Sequence, residues 1–248
     1  EGFVNKVYTG IENFRVTAVC PSHEELKKLY SDKVKEDTYT MTNDEGKEQA
    51  KIVLHLDNEA EEGEPSIKTR ITFFVTKDNK VSQSGKPQFI NVYGQNAWLD
   101  EDGTIPDNMQ WFEVEGKRKA FDGEPIVIDF IRNLLNLPSL QKADNPNDAK
   151  AQFSEADWNA MFNGNFASIK SAVMSSPNKI GLLLGAKTVD DGKIYQDVCN
   201  KFTLRQWAKA SGNFDYIRKQ ITEAQQSGVF PKTDFGNPDH KLREYNPN

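Results

Sequence analysis

The sequence predicts an α+β protein organised on an antiparallel β-sheet, and three observations carry that reading. Segments 13–20, 50–57 and 67–76 alternate apolar and polar residues with period two. Two further β-compatible runs, 180–189 and 193–204, are joined around Asp190-Asp191-Gly192, and Asp-Gly is among the strongest short turn signals. Helical spacing is confined to a few stretches, most clearly the one after Asp122. With 248 residues, 37% of them hydrophobic, the chain can bury a core without disulfide staples. Its longest apolar stretches, such as Ile180 to Leu184, fall far short of the roughly 18 residues of a membrane-spanning helix.

In chain order, Phe14, Val16, Ala18 and Cys20 alternate with Arg15, Thr17 and Val19, and Pro21 ends this first strand. Ser22 with Glu25 three residues on forms a capping box ahead of Leu26, Leu29 and Tyr30, which predicts a short helix. Ile52, Leu54 and Leu56 alternate with Lys51, Val53 and His55, so the first set is assigned to the core and the second to the open face. On the next strand Ile67, Ile71, Phe73 and Val75 take the core face, opposite Lys68, Arg70, Thr72 and Phe74.

Gly85 and Pro87 precede a short strand at Phe89 to Tyr93, and Trp111 to Val114 adds another. Asp122 is read as the cap of a helix with Pro125 in its first turn and Ile126, Phe130, Ile131, Leu134 and Leu135 on one stripe. Residues 139 to 152, rich in Asn, Asp and Pro, form a linker or long loop. Ser154 caps a helix through Trp158 and Phe162, Gly164 breaks it, and a second helical stretch runs to Pro177. After the hairpin, Phe214 to Gln225 is helical and the segment 231–248 is read as an irregular tail.

Without the insertions at 85–120 and 140–177 the order is strand-strand-strand-helix-strand-strand. That is the order of an OB-type five-stranded Greek-key β-barrel, here elaborated with extra strands and helical insertions. The expectation is a single elaborated domain over residues 1–248.

The net charge of −6 is unevenly spread: residues 1–150 carry 19 Lys and Arg against 27 Asp and Glu, and residues 151–248 carry 12 against 10. Asp57, Glu59, Glu61, Glu62 and Glu64 form an acidic loop with no basic residue among them, and Asp100, Glu101, Asp102 and Asp107 form a second. Three histidines and two cysteines, with no C-x-x-C and no H-E-x-x-H, assemble no local zinc site. No phosphate-cradling loop, nucleophile elbow or dinucleotide fingerprint is present, so no catalytic residue, metal or cofactor is assigned and the expectation is a non-enzyme. Cys20 and Cys199 either pair or stay as thiols.

What the sequence does carry is cations and rings on shared surfaces. Lys68, Arg70 and Phe74 share one face of a strand, and Lys51 and His55 sit on the matching face of its neighbour. Lys and Arg neutralise phosphates while a flat ring stacks on any base without reading sequence, which is how single-stranded nucleic acid is held. The hairpin region adds Lys193, Tyr195, Lys201 and Arg205, and Lys86, Tyr93 and Trp98 form a third cluster. The competing reading of each is a solvated strand face with its rings packed in a core.

The stretch ITFFVTKDNKVSQSGKPQFINVYGQNAW at 71–98, with the opening YTGIENFRVTAVCPSHEEL and the later EPIVIDFIRNLLNLP, resembles single-stranded DNA-binding proteins of tailed bacteriophages, notably the replication-module group of crAss-like phages. The likeness covers roughly residues 8–138. It implies an OB-type core, sequence-independent binding of single-stranded DNA in phage replication and recombination, replication proteins as further partners, no membrane, and the host cytoplasm as location. It supplies no catalytic residues. One departure stands out: the chain ends in DHKLREYNPN rather than in an acidic partner-recruiting tail. Two alternatives stay open, a virion structural or cargo protein and a secreted Bacteroidetes surface protein in which Cys20 pairs with Cys199.

Overall fold

The computed structural model describes residues 6–77, 88–91, 96–98, 111–113, 121–137, 153–205, 214–226, 230, 232–236 and 242–246. Its strands are β1 (Tyr8–Val19), β2 (Thr40–Thr42), β3 (Glu48–Asp57), β4 (Lys68–Thr76), β5 (Gln88–Asn91), β6 (Asn96–Trp98), β7 (Trp111–Glu113), β8 (Ile180–Thr188), β9 (Ile194–Arg205), β10 (Thr233–Asp234) and β11 (Arg243–Glu244). The helices are α1 (His23–Leu29), α2 (Glu124–Leu134), α3 (Glu155–Phe162), α4 (Ala167–Met174) and α5 (Phe214–Gln226). The architecture is α+β on a curled antiparallel sheet. Neighbours run β10-β8-β1-β3-β2, with β9 also on β8, β4 on β3 and β11 on β1, while β6-β5-β7 make a separate three-stranded sheet.

The chain divides into two compact units that exchange segments. The first comprises Glu1–Val16, His55–Ile71 and Pro177–Asn248, and the second Thr17–Leu54 and Thr72–Ser176.

In the first unit β1 and β8 pair antiparallel from Gly10↔Leu184 to Phe14↔Ile180, and β8 pairs with β9 on its other edge. The β8–β9 turn forms as its Asp-Gly pair dictates: Val189 N donates to Lys193 O at 3.0 Å and Gly192 N to Val189 O at 2.9 Å. That turn sets the register, which a bulge interrupts between Leu182 and Leu184. Both faces of β8 are buried from Ile180 to Ala186, matching its unbroken apolar sequence. Ile11, Leu183, Cys199, Ile221 and Phe235 form a buried cluster, with Phe230 packed against it. The end of the chain is therefore not the irregular tail expected: Phe235 enters the core, β10 pairs with β8, and β11 pairs with β1. These strands are two residues long, too short to register as alternation.

In the second unit the capping box of α1 forms as read, with Glu25 N donating to Ser22 Oγ at 3.3 Å and Ser22 N to Glu25 Oε2 at 2.8 Å. Ser154 and Asp157 cap α3 in the same reciprocal way, at 3.1 and 2.9 Å. The cap expected at Asp122 does not form. Gly123 occupies the cap position in the left-handed region, with φ 87°, and Asp122 O instead accepts from Thr76 N at 2.9 Å. Edge-on aromatic pairs build the core, with ring centroids 5.4 Å apart for Phe73–Phe130, 5.1 Å for Phe121–Phe162 and 5.6 Å for Phe153–Trp158. The linker read at 139–152 lies outside the described residues.

Candidate nucleic-acid interface

Strand β4 takes the two-faced form its alternation dictates. Ile71, Phe73 and Val75 are buried, and so is Ile67 just ahead of it, while Lys68, Arg70 and Phe74 are exposed and Thr72 is half-buried. Phe74 leaves 46% of its surface to solvent, so its ring is open to a ligand. Lys68 and Arg70 stand two residues apart, hence about 7 Å along the strand. The Lys68 ammonium lies 3.7 Å from Asp57 Oδ2, an ion pair longer than a hydrogen bond, and the lysine side chain is 60% exposed.

The start of β4 is held by the preceding loop. Buried Asn58 accepts from Ile67 N at 2.9 Å through Oδ1 and donates from Nδ2 to Pro65 O at 2.9 Å. Its backbone O accepts from Lys179 Nζ at 2.9 Å. Glu59, with φ 48°, is gripped by Arg15 at 2.6 Å and Lys179 at 3.3 Å. The hydrogen bond from Arg15 holds its carboxyl below the usual range, with Lys179 adding to the effect. The acidic loop thus has its cations after all, brought from 44 residues before and 120 after Glu59, where no local reading finds them. Glu61 and Glu62 project beyond this anchor into solvent.

The neighbouring strand corrects the expectation of a second open face. Val53 and His55 are buried, at 0% and 4% exposure, and Lys51 is half-buried with its ammonium 2.6 Å from Asp37. His55 therefore presents no ring to a ligand in solution, and Lys51 arrives already paired. The signal was present: Ile52-Val53-Leu54 is an unbroken apolar run, which marks a strand covered on both faces rather than one.

On the hairpin, Tyr195 is 52% exposed. Lys193 is exposed and reaches back within the turn to Asp191 at 2.6 Å, and this hydrogen bond keeps the Asp191 carboxyl below its ordinary value. Lys201 and Arg205 lie on β9, and Arg205 pairs in register with Ile180. Trp98 lies on β6 opposite Gln88. Lys86 and Tyr93 fall outside the described residues. Sequence reasoning missed Lys187, an exposed cation directly across from Tyr195. Counting outward from the Asp-Gly turn would have found it.

Other chemistry is sparse. A depression of about 440 Å³ in the second unit is lined by Glu36, Asp37, Tyr39, Gly164 and Phe166. Two of its polar groups are already engaged, Asp37 with Lys51 and with Thr38 N, and the Tyr39 hydroxyl with Pro21 O. Among the described residues no three His, Cys, Asp or Glu side chains could hold a metal ion. Cys20 and Cys199 form no disulfide, and burial pushes the thiol of Cys20 up to about 12. No helix among the described residues is long and apolar enough to cross a membrane. No known protein family, curated protein or solved structure matches the chain.

Proposed function

We propose that the protein binds single-stranded DNA without sequence preference, through the outward face of β4, in the replication or recombination of phage DNA. The observation that carries this reading is the exposure of Lys68, Arg70 and Phe74 at alternate positions of one strand. Two cations meet phosphates and the ring offers a stacking surface that any base accepts. An OB-type barrel is the fold this reading implies. Support for it comes from the neighbour order of the five long strands, β9-β8-β1-β3-β4, and from the helices falling between β4 and β8. That is the order of a five-stranded barrel opened between its third and fifth strands.

Titration of fluorescent oligo-dT at two salt concentrations tests the function. The two phosphates neutralised by Lys68 and Arg70 are expected to contribute about −1.4 to the slope of log affinity against log salt for a single strand. Arg70→Glu weakens binding much more than it lowers thermal stability. Absence of binding by the wild-type protein at low salt overturns the reading, and equal loss of binding and stability in Arg70→Glu returns that residue to a structural role.

A further inference from the structure

The turn end of the β8–β9 hairpin places three side chains of neighbouring strands in one row. Lys187 pairs with Tyr195 across β8–β9, and with Thr233 across β8–β10. Residues directly opposite one another in antiparallel strands project to the same face, so Thr233, Lys187 and Tyr195 stand side by side. All three lie in the first unit.

The charges around this row are unequally engaged. Asp190 is bound by Lys232 and Asp191 by Lys193. Asp197, two residues from Tyr195, is turned to its neighbours: Thr233 Oγ1 donates to Oδ2 at 2.6 Å and Val198 N to Oδ1 at 3.0 Å. Lys187, exposed, makes no ion pair with any described residue. Among the described residues, what this row turns to solvent is thus an ammonium outside any ion pair beside an exposed phenol ring.

The strand beneath is rigidly held. Gln196, next to Tyr195, donates from Nε2 to Tyr8 O at 2.8 Å and to Gly185 O at 3.0 Å, and its Oε1 accepts from Tyr8 N at 2.9 Å. One side chain therefore ties β9 to both β8 and β1. A ring fixed on such a strand gives up little conformational freedom when it binds.

We infer that this row is a second contact for single-stranded DNA, in which Tyr195 stacks on one base and Lys187 neutralises an adjacent phosphate. The inference rests on the β4 reading for its ligand but uses none of the β4 residues. Lys193 and Lys232 take no part in it, because each is already held by an aspartate.

The test compares wild type with Tyr195→Ala, Tyr195→Phe, Lys187→Gln and Arg70→Glu on oligo-dT long enough to occupy both contacts. Tyr195→Ala is expected to lower affinity by about fivefold or more, and Tyr195→Phe to retain it. Lys187→Gln is expected to reduce the magnitude of the salt slope by about 0.7. Photocrosslinking of the wild-type protein to an iododeoxyuridine oligonucleotide, mapped by mass spectrometry, places a crosslink on Tyr195 and needs no variant to fold. If Tyr195 takes no crosslink and its variants bind as wild type while Arg70→Glu is weakened, the second contact is refuted and the β4 reading stands. If the wild-type protein binds no oligonucleotide, both are refuted.

Discussion

Gly123 offers a quantitative test of how α2 is docked on the end of β4. Its φ of 87° lies where L side chains are strained, and a Cβ built there would lie 2.0 Å from Phe74 O and 3.1 Å from Phe74 C. Gly192 in the hairpin turn has a φ of 78° but nothing within 4 Å of the corresponding Cβ. Alanine at either position incurs the left-handed cost of about 1–2 kcal/mol, partly offset by about 0.4–1 kcal/mol from the stiffer unfolded chain. Gly192→Ala is therefore expected to lose about 1 kcal/mol.

Gly123→Ala must in addition move the Phe74 carbonyl or the first turn of α2 by on the order of 1 Å, because real Cβ contacts do not fall under 3.0 Å. That shift disturbs Thr76 N to Asp122 O and Phe121 N to Glu124 Oε2, both 2.9 Å. Overpacking of about 1–3 kcal/mol and about 1 kcal/mol per weakened hydrogen bond, added to the left-handed cost of about 1 kcal/mol, bring the expected total to about 4–6 kcal/mol. Urea unfolding, followed by tryptophan fluorescence and by circular dichroism, measures both variants on one scale. A Gly123→Ala loss within about 0.5 kcal/mol of that of Gly192→Ala would show that the close approach to β4 does not exist.

Two further outcomes follow from groups away from the proposed DNA contacts. Asn58→Ala strands Ile67 N, buried at 4% exposure, and removes the donor to Pro65 O, so a loss of about 2–4 kcal/mol is expected in the same assay; a loss under about 1 kcal/mol would contradict the role given to Asn58 in holding the acidic loop. Hydrogen bonds from Lys170 and from Ser22 N hold the Glu25 carboxyl down to about 2 against an ordinary 4.5, so its contribution is complete above pH 4.5 and fades as pH falls toward 2. Glu25→Gln keeps the capping geometry while removing the charge, and the pair with Lys170 is 45% exposed on each side, so the loss at pH 7 is about 0.5 kcal/mol or less. The wild-type advantage should vanish near pH 2, and an advantage unchanged between pH 6 and pH 2 would refute the assignment.

Local reading succeeded wherever a feature is encoded within a few residues. The Ser22 and Ser154 caps, the β8–β9 turn, and the outward row of β4 all follow from turn chemistry and side-chain period. It failed at Asp122, where the side chain suited to capping is a good local choice but the close passage of β4 demands a residue without a Cβ. It failed again at Val53 and His55, since alternation says which residues share a face and not whether a face is covered.

By itself, then, the sequence determined roughly where the long strands and the helices lie, which side chains lie together on a strand, and the absence of any familiar catalytic motif. Only the tertiary structure decided that Arg15 and Lys179 grip Glu59, that the chain end is woven into the sheet, and that Lys187 stands beside Tyr195 with no acidic partner among the described residues. The physical reason is one of range. Period and turn geometry act over a handful of residues, whereas burial and charge pairing depend on segments up to 238 residues apart, as Lys6 and Glu244 are.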